Sequence, residues 1–218
     1  MMLKKLLPKP VKKLGRKAIK TVKYEYRRHK IRQPLARGEN IRIIVGAAET
    51  FQSGWYSTNE NWLDISNQKH WENIFAGKSL VTHAVAEHVF EHLTYDEAGR
   101  ALLLIASHMP KGGRVRIAVP DGYNPNPEYI RHVGICGIGD DAADHKQLLN
   151  VDVLSTLIRD AGFTPVHIEG YTKEGELLQA SYSPEDGYIK RSRRNHGKAM
   201  PWAFPDADTS LIVDGIKN

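Results

Sequence analysis

"SLVTHAVAEHVFEHLTYDEAGRALLLIASHMPKGGRVRIAVP", residues 79–120, decides the fold. It opens on an apolar run over 79–87, the length of a buried strand. Thr94 follows, with Glu97 three residues on, the spacing of a capping box. A helix is therefore predicted from Val89 or Leu93 to His108. "PKGG" stops it, and "RVRIAVP", 114–120, reads as a second strand. A strand, a helix and a glycine turn leading into another strand form the crossover unit of a parallel sheet.

The flanking sequence extends the same alternation. Upstream, Ile41, Ile43, Ile44 and Val45 predict a short buried strand ended by Gly46. "QSGWYSTNENWLDIS", 52–66, predicts a turn at Ser53-Gly54 and one or two short extended pieces, and "NQKHWENIF", 67–75, a short helix. Downstream, "NVDVLSTLIRDAGF" predicts an amphipathic helix ending at Gly162, and "TPVHIEGY" and "TSLIVDGIK" predict strands. No helix pattern separates those last two strands. The expected fold is α/β: a doubly wound, mainly parallel sheet with helices on both faces, closed by a C-terminal antiparallel hairpin.

Charge divides the chain. Residues 1–38 hold fourteen Lys and Arg against one acid, Glu25, whereas residues 39–218 hold seventeen basic against twenty-four acidic residues. The first part is read as a basic amphipathic helical extension, starting at Pro10 and running to about Lys30. Val11, Leu14, Ala18, Val22 and Tyr26 lie along one face. Such a helix suits an anionic membrane surface or, less well, nucleic acid, and a solvated helix packed on its own domain is the plain alternative. "RQPLARGEN", 32–40, reads as a linker to the body at 39–218. No run of about 18 apolar residues offers a membrane span. The lone Cys136 excludes an internal disulfide and a Cys-based zinc site, and reads as a small buried residue.

"AEHVFEHL", 86–93, carries two Glu-His pairs. His88 and His92 have the four-residue spacing of helical metal ligands. In the zinc-protease pattern, however, Glu directly follows the first His. Here it precedes each, and no third ligand is evident, so no metal is expected. A base at His88 suits the neutral titration of imidazole, with Glu91 and His92 orienting the loop by hydrogen bonds. A Gly at a strand tip, Gly46, admits close backbone approach, and Asp64 offers an acceptor for a ligand hydroxyl pair or amine.

Together, "GAAETFQSGWYSTN", "LDIS", "AEHVFEHLTYDEAGRALLLIASHMPKGGRVRIAVPDGYNPNPEYI", "AGF" and "SLIVDGIK" resemble a class I S-adenosylmethionine-dependent methyltransferase. The resemblance is closest to small bacterial type 11-like methyltransferases, whose mark is Glu-His-x-x-Glu-His-Leu, a Lys-Pro-Gly-Gly turn, and a strand ending Val-Pro-Asp. It covers about 40–218. It implies a Rossmann-like fold and S-adenosylmethionine as cofactor. By position it places Gly46 and Ala47 under the methionine part, Asn59 at the ribose, and Asp64 and Ile65 at the adenine. Ala86, Glu87 and His88 come near the sulfonium. The chain departs from the family where Ala47, Ala48 and Glu49 replace later glycines and where Asn59 replaces an acid.

Methyl transfer to a hydroxyl needs alignment and a base. His88 is the first candidate, with His145 and Asp121 next. Tyr123 and Tyr129 are candidates to stack on an acceptor, and "IKRSRRNHGK", 189–198, is a second basic patch. The expected function is methyl transfer to a small-molecule or saccharide-like acceptor, in a cytoplasmic protein peripheral at the inner membrane face. The alternative is a non-catalytic scaffold of the same fold that binds membrane or RNA through its basic helix.

Overall fold

A computed structural model describes residues 9–47, 50–139, 142–195 and 210–218, with side chains from residue 21 onward except at 195. The elements in chain order are α1 (Lys9–Ala36), β1 (Ile41–Val45), β2 (Tyr56–Ser57), α2 (Gln68–Phe75) and β3 (Val81–Glu87). They continue with α3 (Tyr95–Ser107), β4 (Arg114–Pro120), α4 (Pro127–Val133), α5 (Val151–Asp160), β5 (Phe163–Tyr171), β6 (Leu177–Gln179) and β7 (Ser210–Lys217). Short 3-10 turns stand at Phe90–His92, Ala142–Asp144, Pro184–Asp186 and Arg193–Asn195.

The strands form one seven-stranded sheet in the order β2-β1-β3-β4-β7-β5-β6. β2, β1, β3 and β4 run parallel, and β7 is antiparallel to both β4 and β5. β7 thus sits inside the sheet rather than at its edge. β5 and β7 are antiparallel neighbours, but the stretch between them carries β6 and returns it to the outer side of β5.

Local chemistry explains the helix limits. Thr94 and Glu97 make the reciprocal capping box: Glu97 N–H donates to Thr94 Oγ1 at 3.3 Å and Thr94 N–H to Glu97 Oε2 at 2.7 Å. Asn67, Asn126 and Asn150 cap α2, α4 and α5 by accepting backbone N–H groups. α1 departs from the expected boundary. It runs through Pro34 to Ala36, so the predicted linker begins as helix. Burial of Ile31 and Leu35 in the main core, with Arg32 Nη2 donating to Asn73 O and Lys78 Nζ to Leu35 O, outweighs the one backbone donor that Pro34 lacks.

The sheet is not clothed alike on its two faces, which corrects the expectation of helices on both. Ile43, Val45, Ala84, Ala86, Val115, Ile117 and Val213 join a large core with residues of α1, α2, α3 and α5. The alternate positions Ile44, Val85, Ala118 and Ile212 form a second cluster with Trp55, Ile168 and Ile189, and no described helix contributes to it. The stretch between β1 and β2 is too short for a crossover helix and its loops. Residues 180–192 cover this second face instead. Gly187, at φ +124°, passes so close that a Cβ would stand 2.1 Å from Val85 Cγ2. Beneath, Arg116 and Asp214 form a fully buried pair, Nε to Oδ1 2.7 Å and Nη2 to Oδ2 2.7 Å. Arg116 Nη1 donates onward to Gly187 O at 2.6 Å and Ser183 O at 3.2 Å, and its guanidinium stacks on Tyr182.

Candidate functional site

From β1 the chain moves to β2 on one side, then returns to β3 on the other. The crevice beyond the carboxyl ends of β1 and β3 is therefore the topological switch point, where open α/β sheets place ligands. Val45 pairs with Ala86, so Gly46 and the residues after Glu87 emerge side by side. Both tips are left-handed: Gly46 has φ +56° and His88 φ +53°. For His88 this conformation is unusual and costs strain that the surroundings must hold. His88 N–H donates to Ala118 O at 2.8 Å, which fixes the turn.

His88 keeps part of its ring open to solvent. Its Nε2 lies 3.2 Å from Ser210 Oγ, within hydrogen-bond reach, and its Nδ1 lies 2.9 Å from Glu91 Oε1. The expected close approach at Gly46 is real, but its partner is internal. A Cβ there would meet Val89 Cγ2 at 2.6 Å, so the glycine lets the β3 tip fold onto the β1 tip.

Several expected site residues serve other purposes. Ile65 and Ala86 are buried in the main core and Ala47 in the second cluster, so their side chains line no crevice. The Ala47 amide donates to Thr58 O at 2.9 Å. Asn59 closes a turn: its Oδ1 accepts from Asn61 N–H at 3.1 Å. Glu87 accepts two backbone amides, Lys190 N–H at 3.1 Å and Arg191 N–H at 2.7 Å, and so anchors the covering segment at the β3 tip.

Asp121 is likewise committed. It is buried, its Oδ1 accepts from Tyr123 N–H at 2.9 Å and its Oδ2 from Tyr171 N–H at 2.7 Å, tying the ends of β4 and β5 together. Burial pushes its carboxyl above the usual range, partly offset by those amides. Tyr129 OH accepts from Asp121 N–H and Tyr123 OH donates to Asp152 Oδ2, so neither ring is placed as a free stacking platform. In the second basic patch, Arg193 Nη2 donates to Tyr171 OH and Arg194 Nη1 to Tyr182 O, while residues 196–198 lie outside the described residues. Cys136 is exposed at φ +56° rather than buried.

Asp64 stands differently. Its Oδ1 accepts from Ser66 N–H at 2.9 Å and Ser66 Oγ at 2.8 Å, and its backbone N–H donates to His70 Nδ1. The residue lines an open concavity of about 630 Å³ with Ser66, Asn67, Gln68, Lys69 and Glu72. An acid on a polar hollow is suited to receive an exocyclic amine. Of the expected cofactor residues, Asp64 alone lines this hollow. Asn59, Ile65, Ala86 and Glu87 make the internal contacts given above.

His145 is the residue whose neighbourhood the sequence hid. The "DHKQLL" stretch is not helical after Asp144, so His145 caps nothing. Its Nδ1 is 2.7 Å from Val133 O. Its ring lies edge-on to His92, centroids 4.8 Å apart. The expected loop-orienting hydrogen bonds of Glu91 and His92 side chains are absent among the described residues: both Glu91 oxygens and His92 Nδ1 are buried without a hydrogen-bond partner. The backbone holds the loop instead, Lys146 N–H donating to Glu91 O at 2.8 Å, with Gln147 Nε2 donating to Phe90 O at 3.0 Å.

No protein-family model and no curated protein matches the chain. Solved structures do. One is a SAM-dependent methyltransferase from Archaeoglobus fulgidus, with a TM-score of 0.48 at 13% identity, covering 87% of this chain and 94% of that one. Another is a SAM-dependent methyltransferase, possible histamine N-methyltransferase, from Thermotoga maritima, with a TM-score of 0.44 at 12% identity, covering 94% and 96%. A third is magnesium protoporphyrin IX methyltransferase from Synechocystis with bound SAH, with a TM-score of 0.41 at 13% identity, covering 93% and 86%. The chain is similar to all three at the level of a broad architecture, and close to none of them.

Proposed function

We propose that the chain is an S-adenosylmethionine-dependent methyltransferase acting on a small-molecule or saccharide-like acceptor. The observation that carries this is the switch point, where Gly46 and His88 leave paired parallel strands side by side, each in a left-handed turn. The motif resemblance over 40–218 supports it. Asp64 would hold the adenine amine and the Gly46 backbone the amino-acid end. Bound there, the cofactor supplies an electrophilic methyl group on a sulfonium. His88 takes the acceptor proton at Nε2, the ring nitrogen that lies 3.2 Å from Ser210 Oγ at the β3 tip. Asp121 acts at a distance, by tying the ends of β4 and β5 together.

Calorimetry tests the cofactor. Saturable binding of S-adenosylmethionine is expected, weakened roughly tenfold or more by Asp64→Ala, the worth of a hydrogen bond to a charged group. No heat at millimolar cofactor sinks the reading. His88→Asn keeps a residue that tolerates the left-handed turn. It is expected to leave cofactor affinity intact and to lower kcat by about 10²–10⁴-fold. An unchanged kcat removes His88 as base.

A membrane role for the basic helix gains support from one feature. Of the predicted apolar stripe of α1, the two members with described side chains are turned outward: Val22 is 69% and Tyr26 60% exposed, while the buried Ile31 and Leu35 dock further along the helix. No helix among the described residues is long and apolar enough to cross a membrane. With fourteen basic residues in 1–38, the proposal is peripheral attachment to an anionic surface, at the inner face of a membrane bounding the cytoplasm. Flotation with phosphatidylserine vesicles, against neutral vesicles and an RNA shift, checks it. Equal retention by neutral lipid, or preference for RNA, overturns it.

A further inference from the structure

We infer that Glu91, His92 and His145 form a binding site for one divalent transition-metal ion, zinc before others. One ligand atom of each lies within 4.8 Å of the rest. Two come from the 3-10 turn after β3 and the third from the residue that follows the 3-10 turn Ala142–Asp144, so two distant loops converge on a point.

The carboxylate makes the case beyond mere proximity. Glu91 is 1% exposed, and neither of its oxygens has a hydrogen-bond partner among the described residues. A buried acid so placed is costly unless something of positive charge sits against it. The neighbouring His88 Nδ1, at 2.9 Å from Oε1, is misaligned and makes no hydrogen bond. A cation held between Glu91 and the two imidazoles relieves the cost.

The imidazoles are prepared for the same task. His145 Nδ1 faces Val133 O at 2.7 Å, so the proton sits on Nδ1 and the lone pair on Nε2. A backbone carbonyl fixing the tautomer is the usual support of a ligand histidine. His92 Nδ1 lies 3.1 Å from Asp144 Oδ1, which places a carboxylate beside the ring. The backbone bonds from Lys146 and Gln147 to Glu91 O hold the two loops in register without help from an ion.

Ligand chemistry selects the metal. Two imidazoles and one carboxylate suit zinc, whereas magnesium and calcium prefer oxygen throughout. Zinc ligands at about 2.0–2.1 Å stand roughly 3.4 Å apart in a tetrahedron, so the set must close by ~1 Å or somewhat more. Side-chain rotation supplies that. Three protein ligands leave a position for water or for an acceptor oxygen. The site is independent of the proposed methyl transfer, and its test does not read activity.

The experiment uses the full chain, dialysed against chelator and then metal-free buffer. Elemental analysis after adding one equivalent of zinc is expected to find one ion per chain, with a rise in Tm. Glu91→Gln and His145→Asn are expected to weaken zinc binding roughly 100-fold or more and to abolish the rise. Asn retains a donor for Val133 O, and Gln removes only charge, so each variant keeps its fold; circular dichroism of the metal-free proteins verifies this. The chain has ten histidines, and retention by both variants would place the ion elsewhere and overturn the assignment. No stoichiometric zinc in the wild type would also overturn it.

Discussion

Single side chains at the strand ends hold the tips together. Asp121 uses both carboxylate oxygens on backbone amides from two different strands' ends, a task only a carboxylate performs. Asp121→Asn leaves one amide facing an NH₂ group, and is expected to cost about 1–3 kcal/mol in urea denaturation. The folded carboxyl titrates above its unfolded counterpart, because burial disfavours its charge. Its ionisation therefore opposes folding above the folded pKa, and the penalty fades as pH falls through that value. Glu97 has the opposite sign. Its pairing with the Thr94 amide and Lys146 lowers its pKa to about 2. The contribution is present above the unfolded carboxylate range and is lost as pH falls toward 2. Thr94→Ala removes the other half of the box and is expected to cost about 1 kcal/mol, read by thermal melting.

Among the elements, the segment 180–192 does the work of a helical layer that the described residues do not supply on that face. It is held by buried charge: Arg116 reaches from β4 to its carbonyls, while Asp214 on β7 neutralises the guanidinium. Removing the acid leaves a buried cation unpaired, which costs about 3–5 kcal/mol. Asp214→Ala is therefore expected to show that loss in denaturant and faster hydrogen exchange over 182–192. Slow exchange there would mean that Ile189 and Trp55 alone suffice to hold the cover. Sequence pattern read β1, β3, β4, α3 and α5 well, since each carries its own period or caps. It misjudged the cover, because "ASYSPEDGYIKRSRR" has no periodicity and its grip comes from Arg116, more than sixty residues away.

For the whole molecule, the legible part was the order of strands and helices, and the illegible part was which distant residues meet. Glu91 and His92 were visible as a pair, but His145 is separated from them by α3, β4 and α4, and nothing local announces that it returns to them. The acids assigned to a ligand by position, such as Glu87, turned out to meet amides of residues 190 and 191. Spacing gives no access to that, since a carboxylate reads alike whether it faces a ligand or a backbone. The placement of β7 between β4 and β5 also sets kinetics. Its register couples Arg114 with Ile216, a separation that makes closure slow. Refolding from urea is expected to end in a phase, seen by β7 amide protection, that lags the formation of α3.

That inserted strand has a consequence for synthesis. A chain emerging from the ribosome completes β4 and β5 before the ribbon that must lie between them exists. Two open flanks then wait for one late arrival, each able to recruit a stray neighbour. Until β7 has been made, a partly synthesised chain carries both exposed edges at once.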